Sequence, residues 1–196
     1  MAQRDGNIDK QELWDNEEFV IDKVSRVGLD IKYASDRLKS SKRVAKVAIE
    51  CCGLAFNYIS DNLKEDKELC KILVGHLGTY LFFAPDSARD DYDIVMTAVK
   101  SEGSALRYAS ERLRKRKDIV MEAVRENGHS IFFASDSLRD DREVALAAVR
   151  SDGGALEFIS NRLKDDLEIV SLAVGNNISR LQFASKRVQG ILGDGA

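Results

Sequence analysis

The sequence has little that would bend, staple or span. Its 196 residues include one proline, Pro85, and three cysteines, and aromatic residues make up only 7%. Scarce proline and few aromatics argue against many short strands joined by tight turns and favour helices. Cys51, Cys52 and Cys70 form no even disulfide framework and no metal-ligand spacing. Free thiols suit a reducing compartment. No run of 18 apolar residues is present, so no membrane span is expected. The start, "MAQRDGNIDK", lacks the apolar core of a secretory signal. The expected address is intracellular and cytoplasmic, with an organelle left open for a chain that has lost a transit peptide. A net charge of −3 gives no general basic field, so nucleic acid is not the expected partner.

Chemistry is equally sparse. The recurring glycines are singletons, so no glycine-rich phosphate loop exists. His76 and His129 fall at different places in the pattern described below, and no base accompanies a cysteine in it. No catalytic residue, cofactor, metal or small-molecule substrate is implied. What remains is a globular composition, 44% hydrophobic and 32% charged.

What the chain does have is a period. Tyr33, Tyr58, Phe83, Tyr108, Phe133, Phe158 and Phe183 recur every 25 residues. So do Gly28, Gly53, Gly78, Gly103, Gly128 and Gly153, a series that Ile178 breaks. Val24, Ile49, Val74, Val99, Val124, Val149 and Val174 keep the same spacing, and alanine precedes most of them. Seven copies run from Glu17 to Ile191 without insertion. This divides the chain into a polar cap segment, 1–16, seven tandem repeats, 17–191, and a tail, 192–196.

Within one copy, Val144, Ala145, Ala148 and Val149 form one face of a helix. Gly153 stands where a helix would end on a residue of positive φ. Ala155, Leu156, Phe158, Ile159 and Leu163 make a second, shorter helix, with the aromatic series expected in the shared interior. Pro85 occupies a serine position in the third copy, so that helix should end or kink there, with a possible 3₁₀ exit. A single copy cannot bury its apolar face, but stacked copies can. The expected fold is all-α: an α-solenoid of seven 25-residue two-helix repeats forming an elongated superhelix.

The pair Asp140–Asp141 resembles a catalytic or metal site at first sight. Its recurrence suggests helix capping instead, because a catalytic pair is needed once. Asp140 precedes Glu143 by three residues, as Asp90 precedes Asp93, Glu65 precedes Glu68 and Asp165 precedes Glu168. That spacing predicts a capping box with the first acid as cap.

The unit resembles a family known as domain of unknown function 4116, a short helical repeat found in tandem. The resemblance is strongest between Tyr92 and Asp166, as in "DIVMEAVRENGHSIFFASDSLRDD". It implies the helical-repeat fold and brings no catalytic residue with it.

Function in such an array is expected at positions that vary. The residue after the second-helix leucine reads Lys32, Asn57, Phe82, Arg107, Phe132, Glu157, Gln182. Its polarity in five copies predicts exposure, which leaves Phe82 and Phe132 as exposed aromatics flanking Arg107. These three are the candidate partner contacts. The plainer alternative is that the superhelix folds the rings into its own groove.

Other features carry less. Copies three and five match each other, as do copies four and six, which suggests duplication of a pair. "ERLRKRK", Glu111 to Lys117, is a basic knot that could meet an anion or stay a solvated loop. Lys39, Lys64, Arg89, Arg114, Arg139 and Lys164 form a basic series that local acids should pair. Asp5, Gly6, Ile8, Asp9 and Glu12 resemble half an EF-hand loop. Met1 and Gln3 stand where the first ligands belong, so calcium binding is not expected. Trp14 should cover the open end of the first repeat.

Three functional readings result. The first is a non-catalytic scaffold binding a protein or peptide along one face. The second is a structural subunit embedded in a larger assembly. The third, an enzyme, has almost no support.

Overall fold

The computed structural model describes residues 10–175 and 177–193, and among them every regular element is helical. Each unit opens with a long helix: Glu17–Arg26, Lys42–Cys51, Lys67–His76, Tyr92–Ser101, Lys117–Glu126, Arg142–Ser151 and Leu167–Val174. A 3₁₀ helix follows, as in Gly28–Tyr33, Gly103–Tyr108 and Gly128–Phe133. A one-turn helix such as Asp36–Lys39 or Asp136–Arg139 then leads into the next unit. The long helices pack on one another in one layer and the 3₁₀ segments in a second. Contacts run between neighbouring units, which makes the array a solenoid.

The long helices bury the face anticipated for them. Val144, Ala145 and Ala148 are fully enclosed, and Val149 nearly so. The second element is 3₁₀ rather than α along its first six residues, and the sequence contains the reason. Gly28, Ile31 and Ala34 are spaced by three, and all are buried. Three residues per turn puts them on one line facing the core. The chain then becomes extended at Ser35 (φ −60°, ψ 157°) and at its equivalents, including Pro85 (φ −66°, ψ 165°). The break that Pro85 predicts is therefore present.

The glycines and the aromatic series depart from expectation. The repeated glycines do not supply positive φ; among the described residues only Gly175 does. They are there for close approach. A Cβ on Gly28, Gly78, Gly103, Gly128 or Gly153 would collide with the backbone carbonyl of Ala48, Ala98, Ala123, Ala148 or Ala173 in the next long helix. Ile178 breaks the series in the seventh unit, where no further long helix approaches among the described residues, and it lies exposed. The aromatic series, in turn, is not in the interior. Tyr33, Tyr58 and Phe83 are exposed, and Tyr108, Phe133, Phe158 and Phe183 are half-buried. The core belongs to the residue two places earlier: Ile31, Phe56, Leu81, Leu106, Ile131, Leu156 and Leu181.

The acids divide their work differently from a capping box. The second aspartate is the cap: Asp141 Oδ1 accepts from the amides of Glu143 (2.9 Å) and Val144 (3.2 Å), and Asp66, Asp91 and Asp166 do the same. The first aspartate clasps the following unit. Asp140 accepts from the Ser160 hydroxyl and from Arg162 Nε at 3.0 Å, while Arg162 Nη2 reaches the Asp140 carbonyl at 2.7 Å. The same clasp joins Asp15 to Ser35 and Arg37, Asp90 to Ser110 and Arg112, and Asp165 to Ser185 and Arg187. Glu143 does not reach back to its own cap; it pairs with Lys117 of the preceding unit at 2.8 Å.

Beside each clasp the serine amide bonds back to the preceding unit, as from Ser110 to the Arg89 carbonyl and from Ser160 to Arg139. Pro85 has no N–H to give. The Lys64 carbonyl it would have met accepts the Cys70 thiol instead, at 3.1 Å.

At the start of the chain, the helix Lys10–Leu13 and the Trp14–Asp15 step sit 25 residues before Ser35–Ser40 in register. The Trp14 carbonyl accepts the Ser35 amide at 2.9 Å and Asp15 forms the first clasp. The cap segment therefore ends in the last turn of a unit. Trp14 packs on Phe19 and Tyr33, ring centroids 5.4 Å from each, and covers the first repeat as expected. Of the EF-hand-like residues, Asp5, Gly6, Ile8 and Asp9 lie outside the described residues. Cys70 is buried, Cys52 is half-buried and Cys51 is exposed.

Candidate functional site

The turn from a buried Leu81 to Phe82 and Phe83 carries both phenylalanines to the outside of the 3₁₀ layer. Phe82 and Phe132 are each 54% exposed, as the polarity of their equivalents predicts. They are not isolated. The Phe82 ring lies 5.2 Å from Phe83 of its own unit and 5.4 Å from Tyr108 of the next. Arg107 takes the same place one unit on, its guanidinium 4.7 Å from the Tyr108 centroid and 6.0 Å from that of Phe133. Phe132 repeats the step, 5.2 Å from Phe133 and 5.3 Å from Phe158.

The result is one continuous stripe: Phe83, Phe82, Tyr108, Arg107, Phe133, Phe132, Phe158. Edge-on ring pairs and a cation over a ring face are both favourable geometries. The three candidate residues are thus brought together, each bridging two rings of the series first assigned to the interior. An α-helical period read through the second element hides those rings from the surface. The signal was available, because a three-residue repeat from the glycine turns the aromatic position away from the core. Asn57, Glu157 and Gln182 offer no ring or guanidinium, so the stripe is confined to units three to six.

Charge flanks the stripe in two rows. The basic series pairs with acids three residues earlier: Lys64–Asp61 at 2.8 Å, Arg89–Asp86 at 3.4 Å, and Arg139–Asp136. Arg89 also donates to the Phe82 carbonyl at 2.8 Å and Lys164 to the Glu157 carbonyl at 2.7 Å, which ties the basic row to the backbone of the stripe. Burial lowers the pKa of the Lys164 ammonium.

The basic knot is mostly neutralised on the spot. Arg112 clasps Asp90, Lys115 pairs with Glu111 at 2.5 Å, Arg116 with Asp118 at 2.8 Å, and Lys117 with Asp141 at 2.8 Å. Arg116 also lies over the Tyr92 ring. Its hydrogen bonds to Asp118, against a smaller opposing effect of burial, hold that carboxyl down at about 2. Arg114 is the exception: its Nε is buried with no hydrogen-bond partner.

His129 Nδ1 stands 3.2 Å from Asp152, and its ring touches Phe158 at the end of the stripe. No cluster of three or more His, Cys, Asp or Glu side chains suited to a metal occurs among the described residues. No helix among them is long and apolar enough to cross a membrane.

The model of one protein family matches the chain six times, at residues 16–64, 42–87, 66–114, 91–139, 116–161 and 141–189. Successive matches start about one unit apart, and each spans two units. No curated protein and no solved structure matches the chain. Matches running from residue 16 to residue 189 place almost the whole array in one family, and the chain belongs to that described as domain of unknown function (DUF4116).

Proposed function

We propose that the array is a non-catalytic scaffold that binds a protein or peptide partner along the stripe face. Phe82 and Phe132 act as apolar anchors, and Arg107 presents its N–H groups to the partner from between two rings. The observation that carries this reading is the unbroken stripe with two half-exposed phenylalanines in it. A phenylalanine buries about 150–250 Å² when covered. Covering the open half of each ring is worth roughly 2–3 kcal/mol at 25 cal/mol per Å². An aromatic–arginine–aromatic cluster has the composition of an interface centre. An intracellular address goes with this reading, since the three thiols are free.

The test is affinity capture from the native cell with the wild-type chain and with a Phe82→Ala, Phe132→Ala variant of unchanged thermal midpoint. The wild type should retain a protein that the variant loses. Equal recovery would remove the stripe from the interface.

A second reading, a subunit embedded in a larger assembly, is favoured by further exposed apolar side chains on the seventh long helix, Leu167 and Leu172. Sedimentation separates the two. A scaffold stays monomeric when purified alone, and an embedded subunit self-associates.

A further inference from the structure

The junction between units four and five breaks the clasp in a specific way. At four junctions an acid, 20 residues ahead of a serine, receives an arginine two residues beyond that serine. Here Lys115 stands in the acid's place, Ser135 in the serine's and Ser137 in the arginine's. Both polarities are changed: the acid has become a cation, and the cation a neutral hydroxyl. The hydroxyls of Ser135 and Ser137 bond only to each other across this gap, at 3.0 Å.

The gap is open, and its lining carries two cations and two acids. A hollow of about 410 Å³ is lined by Glu111, Arg114, Lys115, Phe133, Ser135, Asp136 and Ser137. Arg114 faces it with a guanidinium that forms no hydrogen bond or ion pair, and its Nε is sealed from water. The two acids in the lining are already engaged, Glu111 with Lys115 and Asp136 with Arg139. Ser137 is exposed and sits in a one-turn surface helix, Asp136–Arg139, whose local opening is cheap.

We propose that Ser137 is a phosphorylation site, and that its phosphate closes this junction by pairing with Lys115 and Arg114. In the transfer, the Ser137 oxygen attacks the terminal phosphorus of a nucleoside triphosphate held by a protein kinase. The new O–P bond forms as the bond to the diphosphate breaks. The diphosphate leaves with the electron pair, and the hydroxyl proton passes to the kinase's base. The product carries close to two negative charges and three strong acceptors. It sits where the other junctions place their arginine, facing a cation where they place their acid, so the clasp is rebuilt with its signs reversed. A dianion displaces Glu111 from Lys115 because it carries the larger charge, and Arg114 needs no displacement. The other serine at an arginine position, Ser87, bonds to Glu65, and a phosphate there would meet a like charge.

The test installs phosphoserine at position 137 of the full chain and follows it by ³¹P NMR and hydrogen exchange. The second phosphate pKa should fall by about one unit below its usual value near 6. Exchange of the Ser135 amide, which bonds the Arg114 carbonyl at 3.2 Å, should slow about tenfold. Both effects should vanish in an Arg114→Ala, Lys115→Ala background. A phosphate that titrates like free phosphoserine, or protection that survives the double substitution, overturns the proposal. Inorganic phosphate added to the unmodified chain is the companion arm. Equal protection from the free ion at millimolar concentration, with none from phosphoserine, would show an anion site without a modification and would also overturn it. Phosphoserine at position 87 should leave its junction unprotected.

Discussion

Asp140 and Asp141 are adjacent in sequence and engage different units: Asp140 receives Arg162 of the following unit at 3.0 Å, and Asp141 receives Lys117, which opens their own unit, at 2.8 Å. One dipeptide therefore closes its own unit onto its first helix and joins that unit to the next. Both carboxylates are engaged in holding units together. The Ser160 hydroxyl and then Arg162 hold the Asp140 carboxyl below its ordinary pKa. Burial alone would raise Asp141, but Lys117 and the helix amides outweigh it.

The charge-reversed junction gives a substitution test that needs no phosphate. Lys115→Asp with Ser137→Arg writes the ordinary clasp into the fourth junction. The double variant should melt above the wild type, while Lys115→Asp alone should not, because its carboxylate meets no cation at position 137. A double-mutant cycle on the thermal midpoints measures the coupling. These groups are largely exposed, so the gain should shrink in high salt.

Glycine spacing separates contact from conformation. Gly128→Ala should destabilise the chain by about 1–3 kcal/mol, because the added methyl meets the Ala148 backbone carbonyl, which cannot move aside freely. Gly75→Ala meets nothing within 4 Å and lies on the exposed side of a long helix, so it should stabilise by about 0.5–1 kcal/mol. Urea titration of both variants checks the pair, and the opposite signs are the point.

How much of this was legible from sequence turns on the same residues. The period, the seven units and the buried face of the long helices follow from spacing alone, since each depends on local pattern and on stacking of like on like. The sequence marks the glycine's place correctly but not its role. A turn with positive φ and a close inter-unit approach leave the same mark in one sequence, and only the position of the Ala148 carbonyl distinguishes them. The aromatic series falls inside only if α periodicity continues past Gly28, where a three-residue turn rules. Phe82, Arg107 and Phe132 were legible as exposed. Their linkage into a stripe was not, because it depends on the offset between neighbouring units. The clasp was missed for a similar reason, since its partners lie 20 and 22 residues apart and in different units.

Core and surface phenylalanines should part clearly. Phe56, enclosed at the position of Ile31 and Leu81, should cost about 3–5 kcal/mol as Phe56→Ala. Phe82→Ala should change stability by less than about 1 kcal/mol. Chemical denaturation of the two variants tests the assignment of inside and outside that the proposed function uses.

Acid should loosen the array as the cap and clasp aspartates take up protons. The cap and clasp aspartates all have folded pKa values below the ordinary 3.8, with Asp118 down at about 2 through Arg116. A depressed folded pKa gives stability that is present above the unfolded value and lost as pH falls through the folded one. The thermal midpoint should therefore drop between about pH 4 and pH 2. Arg116→Ala should return the Asp118 titration, followed by NMR, towards its ordinary value.

The thiols should react in order of exposure. Burial, with help from nearby Glu65 and Asp66, pushes the Cys70 thiol up to about 12. A thiol reagent at pH 8 should label Cys51 rapidly and leave Cys70 unmodified until the chain unfolds. Rapid labelling of Cys70 in the folded chain would contradict its place in the core.

The most direct measurement of the proposed function is site-specific photocrosslinking in the native cell. A photoreactive phenylalanine analogue is placed at position 82, at 132, or at 146, where Leu146 lines a hollow between neighbouring long helices. The stripe reading expects one and the same protein to be captured from positions 82 and 132 and not from 146. Capture from 146 alone, with both stripe positions silent, would contradict it.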